Sequence, residues 1–344
     1  MRCARSSFCV LVLVFVCAVP RALAQPPAAD RLPAPTDKLL IVVSPRDDEV
    51  NVLLVNNDRL ELLKSVKTGK GPADVCVSPD GGKAYVSNTG GSGITVVDLA
   101  TLTVSSTLSD ASLQGPVGVA LTPDGKKLYV GARGTGALVV MTPAGQVLKQ
   151  LPVKDPTTVA IAADGKRAYV ASDSTESVLV VDTSTDEVTA TIKTSRQPRG
   201  IAFTPDGKTI LITCVAHDVM YYVNAATNQV ETIVGIGRSP QSVAVAPDGR
   251  LAFSVTRDLR PEGAVSTVTI VDLRRNYRRK VREVPVGSLA TKVLVSPDGA
   301  YLYVTCSGAD PANSIIVYDL VSWELVRTAR GGGGAAGMAY RAGR

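Results

Sequence analysis

Six Asp-Gly pairs, Asp80-Gly81, Asp124-Gly125, Asp164-Gly165, Asp206-Gly207, Asp248-Gly249 and Asp298-Gly299, recur with Gly-to-Gly spacings of 44, 40, 42, 42 and 50 residues. A period of this size restricts the chain to a stack of one repeated supersecondary unit. Ahead of each pair runs a short apolar segment, as in GPADVCV from Gly71 and GPVGVAL from Gly115. Behind it come segments of the type AYVSN, ITVVD and TVSSTL, rich in Val and Thr and bounded by turn residues. This composition predicts antiparallel strands joined by hairpins. Four short strands per unit of about 40 residues is the pattern of a propeller blade, which buries its faces only against neighbouring blades. Six units are complete. A seventh is divided between the ends: Leu39 to Val66 supplies three strands, and Gly334 to Tyr340 aligns with Gly115 to Leu121, the missing first strand. The expected fold is all-β, a seven-bladed β-propeller of four-stranded antiparallel blades, its first blade closed by the C-terminal strand.

The segment from Met1 to Ala24 has the layout of a secretory signal, with Arg2 and Arg5 ahead of an apolar run and Ala22-Leu23-Ala24 at the cleavage site. That run is too short for the roughly 20 apolar residues of a spanning helix. Residues 25–37 are rich in Pro and Ala and read as a flexible lead-in, leaving 38–344 for the propeller. The expected location is secreted or periplasmic, with no membrane span after signal removal. Losing three arginines lowers the formal charge from +6 to +3, which singles out no class of partner. Cys76, Cys214 and Cys306 remain, and an odd count provides no disulfide framework.

Tyr85-Val86-Ser87-Asn88 and Tyr303-Val304-Thr305-Cys306, each shortly after an SPDG turn, resemble the YVTN β-propeller repeat. The resemblance covers nearly all of the mature chain. It implies the propeller fold without naming a ligand. The unit from Gln197 to Gly237 departs from it, with ILITC in place of the Tyr-Val signature.

The repeated aspartates are read as turn formers, because Asp before Gly caps a tight turn and Gly accepts positive φ. Asp98, Asp182, Asp272 and Asp319 are read in the same way. Gly332, Gly334 and Gly337 spell GxGxxG, but the chain stops before a helix could follow. His217 is the sole histidine, and GxSxG, HExxH and CxxC are missing, so no metal and no cofactor are expected. The basic run RRNYRRKVR places Arg274, Arg275, Arg278, Arg279, Lys280 and Arg282 between the third and outermost strands of the sixth blade. Such a run suits nucleic acid; it also suits an outer strand that must repel edge pairing.

Strand direction puts the loops leading into the inner strands, and those between second and third strands, on one face. We call this the upper face; the Asp-Gly turns form the lower one. Residues following the leading prolines make Asp74, Arg199, Gln241 and Lys292 the expected ligand-binding set around the axis. The upper loops add His217, Arg257, Arg260, Glu262 and Asp310, since variable loops on a rigid scaffold tend to carry binding. The expected function is a noncatalytic binding or interaction module, monomeric, whose partner is an unknown protein or a small polar or anionic ligand. One alternative is a propeller-lactonase-like hydrolase, with an acid or base from Asp74, His217 or Glu262. Another is a nucleic-acid-binding propeller using the basic run.

Overall fold

The computed structural model describes residues 32–257, 265–274, 278–308 and 310–343. Within them lie seven four-stranded antiparallel sheets. From the axis outward the second blade runs Pro72–Val77, Lys83–Asn88, Gly93–Asp98 and Thr103–Ser109, and the next five blades repeat that order. In the first blade Met338–Arg341 lies innermost, pairing Met338 with Val42 and Arg341 with Leu39. Each inner strand contacts those before and after it, from the second blade round to the seventh and back through Met338–Arg341. The ring is therefore closed by the C-terminal strand.

The second and third strands of each blade are buried almost throughout, whereas outer strands such as Thr103–Ser109 are exposed. Packing on both faces explains why the middle strands read as nearly continuous apolar runs. Seven hydrophobic clusters fill the seven seams between blades; Leu40, Val42, Tyr303, Val317 and Met338, for example, seal the seventh against the first. Truncating one such Leu would cost about 2–5 kcal/mol by leaving a cavity. In the divergent fifth blade Leu211 occupies the tyrosine position, and its cross-strand partner is the buried Tyr222. The aromatic has moved one strand outward, so the seam stays filled.

Closure is reinforced at the top of the first blade. Asp47 accepts from the Gly333 amide at 2.6 Å and from Ser44 Oγ at 2.7 Å, and Asn51 Nδ2 donates to the Gly331 carbonyl at 3.0 Å. The Gly333 amide and then the Ser44 hydroxyl hold the Asp47 carboxyl below the usual aspartate range. Gly332 has φ of 85°, and a Cβ there would lie 2.4 Å from Ser44 Oγ, so glycine is required. At the lower end Arg341 donates to the carbonyls of Ala34 and Asp37, both at 2.8 Å. Residues 32–37 of the expected flexible lead-in are thus tied to the closing strand.

The lower face is a ring of stacked turns. In each, the aspartate Oδ1 accepts from the amide two residues on, at 3.0 Å for Asp80 and 3.1 Å for Asp124. The glycine of one turn packs on the proline of the preceding blade's turn, as Gly125 on Pro79, Gly165 on Pro123, Gly249 on Pro205 and Gly299 on Pro247. A Cβ at Gly207 would meet nothing within 4 Å, and the preceding fourth blade reads AADG, carrying Ala163 where the others have proline. Its turn keeps the same hydrogen bond, Gly165 N to Ala162 O at 2.8 Å, so the backbone there suits proline. Ala163→Pro should fill the gap and restrict the unfolded chain, raising the melting temperature by about 1–2 °C. A melting temperature lowered by this substitution in calorimetry would contradict the turn-stacking account.

Candidate functional site

The loops of the upper face share one construction. From the second to the seventh blade the residue before the inner strand has positive φ: Gly71, Gly115, Asp155, Gln197, Ser239 and Leu289. Its carbonyl accepts from the residue just past the second strand. Arg133 N donates to Gly115 O and Asp173 N to Asp155 O, both at 3.1 Å, and Arg257 N to Ser239 O at 3.2 Å. Those positions read Thr89, Arg133, Asp173, Val215, Arg257 and Ser307. Repeat geometry thus places two arginines and an aspartate at equivalent points round the mouth.

Three consecutive blades converge on one carboxylate. Asp173 of the fourth blade receives Arg199 Nη2 of the fifth at 2.9 Å and Arg133 Nη2 of the third at 3.6 Å, both on Oδ2. Oδ1 is buried and has no hydrogen-bond partner among the described residues. Burial pushes the Asp173 carboxyl above the usual aspartate value, outweighing the opposing pull of Arg199 and Arg133. Desolvation likewise lowers the Arg199 guanidinium from its ordinary value, against the stabilising charge of Asp173. Thr158 supports the arrangement from the inner strand by donating to the Arg199 carbonyl. Arg133, Asp173 and Arg199 by themselves sum to +1 with Asp173 ionised, and the charge of the neighbouring Asp155 also acts on Asp173.

The expected ligand set divides into separate places. Asp74 and Lys292 meet each other, Oδ1 to Nζ at 3.3 Å, across the inner strand of the first blade. Gly337 makes this possible, since a Cβ there would come within 2.6 Å of the Ala73 carbonyl oxygen and 3.0 Å of Asp74 Oδ1. Of the four, Arg199 alone joins the Asp173 cluster; Gln241 Nε2 turns back to Ser239 O at 2.8 Å. His217 is exposed on a one-turn 3-10 segment, Val215–His217, in the upper loop of the fifth blade. Asp310 caps a second such segment, Pro311–Asn313, accepting from Ala312 N at 2.8 Å. Arg257 is half-buried at the mouth. Arg260 and Glu262 lie outside the described residues.

Much of the basic run is engaged in the blade structure. Arg278 bonds Glu231 Oε2 at 2.8 Å and lies over the Tyr222 ring at 5.1 Å, sealing the fifth blade to the sixth. Arg274 pairs with Asp272 at 2.5 Å and Lys280 with Glu283 at 3.1 Å. Arg279 and Arg282 stand on the exposed outer strand Arg279–Pro285; Arg275 lies outside the described residues. Cys76, Cys214 and Cys306 are free thiols.

The family profile described as "Lactonase, 7-bladed beta-propeller" matches residues 32–233. The chain belongs to this lactonase family. Solved structures agree in fold. Hydrazine synthase of Kuenenia stuttgartiensis is 24% identical with a TM-score of 0.69, over 78% of this chain and 89% of that one. A Bacteroides fragilis protein proposed to be a 6-phosphogluconolactonase is 15% identical, with a TM-score of 0.74 over 89% and 98%. The dihydro-heme d1 dehydrogenase NirN is 19% identical, with a TM-score of 0.65 over 93% and 78%. No curated protein matches the chain. Membership of the lactonase family overturns the expectation of a noncatalytic binding module and favours the hydrolase alternative. Lys292 bonds one oxygen of Asp74, Oδ1, whereas Asp173 keeps a buried oxygen with no hydrogen-bond partner among the described residues.

Carboxyl titration by NMR should place Asp173 above the ordinary aspartate value, and Arg199→Ala, removing the nearer cation, should raise it further. An Asp173 carboxyl titrating below that value would contradict the dominance of burial.

Proposed function

We propose that the protein hydrolyses a small lactone on its upper face, with Asp173 as general base and Arg133 and Arg199 as the cationic clamp. The observation that carries this reading is the Asp173 carboxylate, held by two guanidiniums through Oδ2 while Oδ1 stays without a partner among the described residues. Family membership supports the reaction class.

The residues suffice for each step. With substrate bound, the Asp173 carboxylate takes a proton from water as the water oxygen attacks the lactone carbonyl carbon, and the carbonyl oxygen becomes an oxyanion. Arg199 and Arg133 stabilise that charge, which is worth most where water is excluded. The intermediate collapses, the ring C–O bond breaks, and the alkoxide recovers the proton from Asp173. A hydroxy acid is formed and loses its own proton to solvent, leaving a carboxylate that the arginines can bind. A base of raised pKa suits this role, since proton transfer is most efficient when the pKa approaches the working pH. The paired guanidiniums favour lactones that carry a carboxylate or another anionic group.

The setting is part of the proposal: the segment from Met1 to Ala24 would direct the chain out of the cytoplasm. We read the blades as YVTN-type repeats, a reading supported by Tyr85-Val86-Ser87-Asn88 and Tyr303-Val304 after their SPDG turns.

A panel of neutral and carboxylated γ- and δ-lactones, followed by acid release, tests the reaction. Turnover should favour the carboxylated members, and its rate should rise with pH as Asp173 loses its proton. Asp173→Asn should lower kcat by about 10²-fold or more at unchanged melting temperature. Turnover of no lactone, or full activity in Asp173→Asn, would refute the assignment.

A further inference from the structure

A cleft of about 440 Å³ opens between the third and fourth blades, and its lining does not include Arg133, Asp173 or Arg199. Pro152, Val153 and Leu179 give it an apolar lining, and Lys154 and Lys193 stand at its rim. Its volume falls in the range of small-molecule sites.

The repeats themselves show what sets this blade apart. In the second blade the last residue of the second strand is Asn88, whose Nδ2 donates to Gly93 O and Thr95 Oγ1, both at 3.0 Å. In the fourth blade the corresponding residues are Ser172, Ser177 and Leu179, so a smaller side chain leaves the space over Leu179 open. The lysines differ from their counterparts too. Lys67 ends the outer strand of the first blade opposite Glu49 and pairs with it at 3.0 Å. Lys193 ends the outer strand of the fourth opposite Ser177, which offers no charge. Arg196, just ahead of a positive-φ residue, pairs with Glu176 at 3.7 Å. Lys154 holds the same place one blade earlier, and neither Lys154 nor Lys193 has an ion-pair partner among the described residues.

The hydroxyls of the floor are already committed. Ser172 donates to the Lys154 carbonyl, Thr175 Oγ1 donates to Ser172 Oγ at 2.6 Å, and Thr175 and Ser177 share a hydrogen bond of 2.8 Å. Recognition of charge therefore falls to the two lysines, and recognition of the remainder to Pro152 and Leu179.

We propose that this cleft is a second binding site, separate from the Asp173 cluster, for a small organic monoanion with an apolar body, of the alkyl or aryl carboxylate class. The carboxylate sits between Lys154 and Lys193 and the hydrocarbon lies on Pro152 and Leu179. The inference does not depend on lactone hydrolysis.

Isothermal titration with hexanoate, acetate and 1-hexanol tests it. Hexanoate should bind saturably below about 10 mM, and acetate and 1-hexanol at least tenfold more weakly, since each lacks one half of the recognition. Lys154→Ser combined with Lys193→Ser should weaken hexanoate at least tenfold, and Lys193→Glu alone should do likewise; both lysines are exposed, and an unchanged melting temperature confirms that the variants fold. Arg199→Ala should leave hexanoate affinity unchanged. Absence of saturable binding, equal affinity for acetate, insensitivity to the lysine changes, or loss in Arg199→Ala would each overturn the proposal.

Discussion

Pairing of Met338–Arg341 with Leu39–Ser44 is the contact on which the rest of the molecule depends. A propeller blade exposes an apolar face on either side, and only a closed ring gives every face a partner. Without the closing strand the first blade would lack its axial edge, and Leu40 and Val42 would lose Met338 from their cluster. The bonds from Asp47, Ser44 and Asn51 to Gly331 and Gly333 fix where the strand begins, and Arg341 fixes where it ends. Chain termini are ordinarily the least secured parts of a domain; here one of them completes the core.

Closure also explains how a site can be assembled from short turns. Arg133, Asp173 and Arg199 come from three successive blades, each at a loop held by a left-handed residue and a backbone bond to its carbonyl. Their meeting follows from the rotation between blades, with no long loop required. The same rotation carries Lys292 over Gly337 to Asp74, but there one cation meets one anion. Two guanidiniums on one oxygen of a buried carboxylate, with the other oxygen unpartnered among the described residues, separate a candidate reaction centre from a structural ion pair.

Blade number, closure and turn chemistry were legible in the residues because each rests on local rules. Asp-Gly requires a tight turn, Val-rich alternation requires strands, and a unit lacking its first strand requires one from elsewhere. Asp173 and Arg133 were not legible from the leading prolines or the longest loops, because they sit in short hairpins after the second strand. Aligning that column across the blades gives charges at Arg133, Asp173 and Arg257, and this was the available signal. The transfer of the aromatic from the Leu211 position to Tyr222, and the use of Arg278 to cover it, depend on which strands and blades touch. No one-dimensional period records that. The lactonase relationship likewise rests on a pattern spread over residues 32–233 and not on a short catalytic motif.

In the proposed reaction the Asp173 cluster receives the anionic end of the hydroxy-acid product. A crystal structure of the protein with a γ-hydroxy carboxylate tests this most directly. The account predicts the carboxylate within hydrogen-bonding distance of Arg133 and Arg199, with Asp173 Oδ1 facing its hydroxyl or a bound water. A carboxylate found instead at Lys292 or among the Asp-Gly turns of the lower face, with the arginines still closed on Asp173, would contradict it.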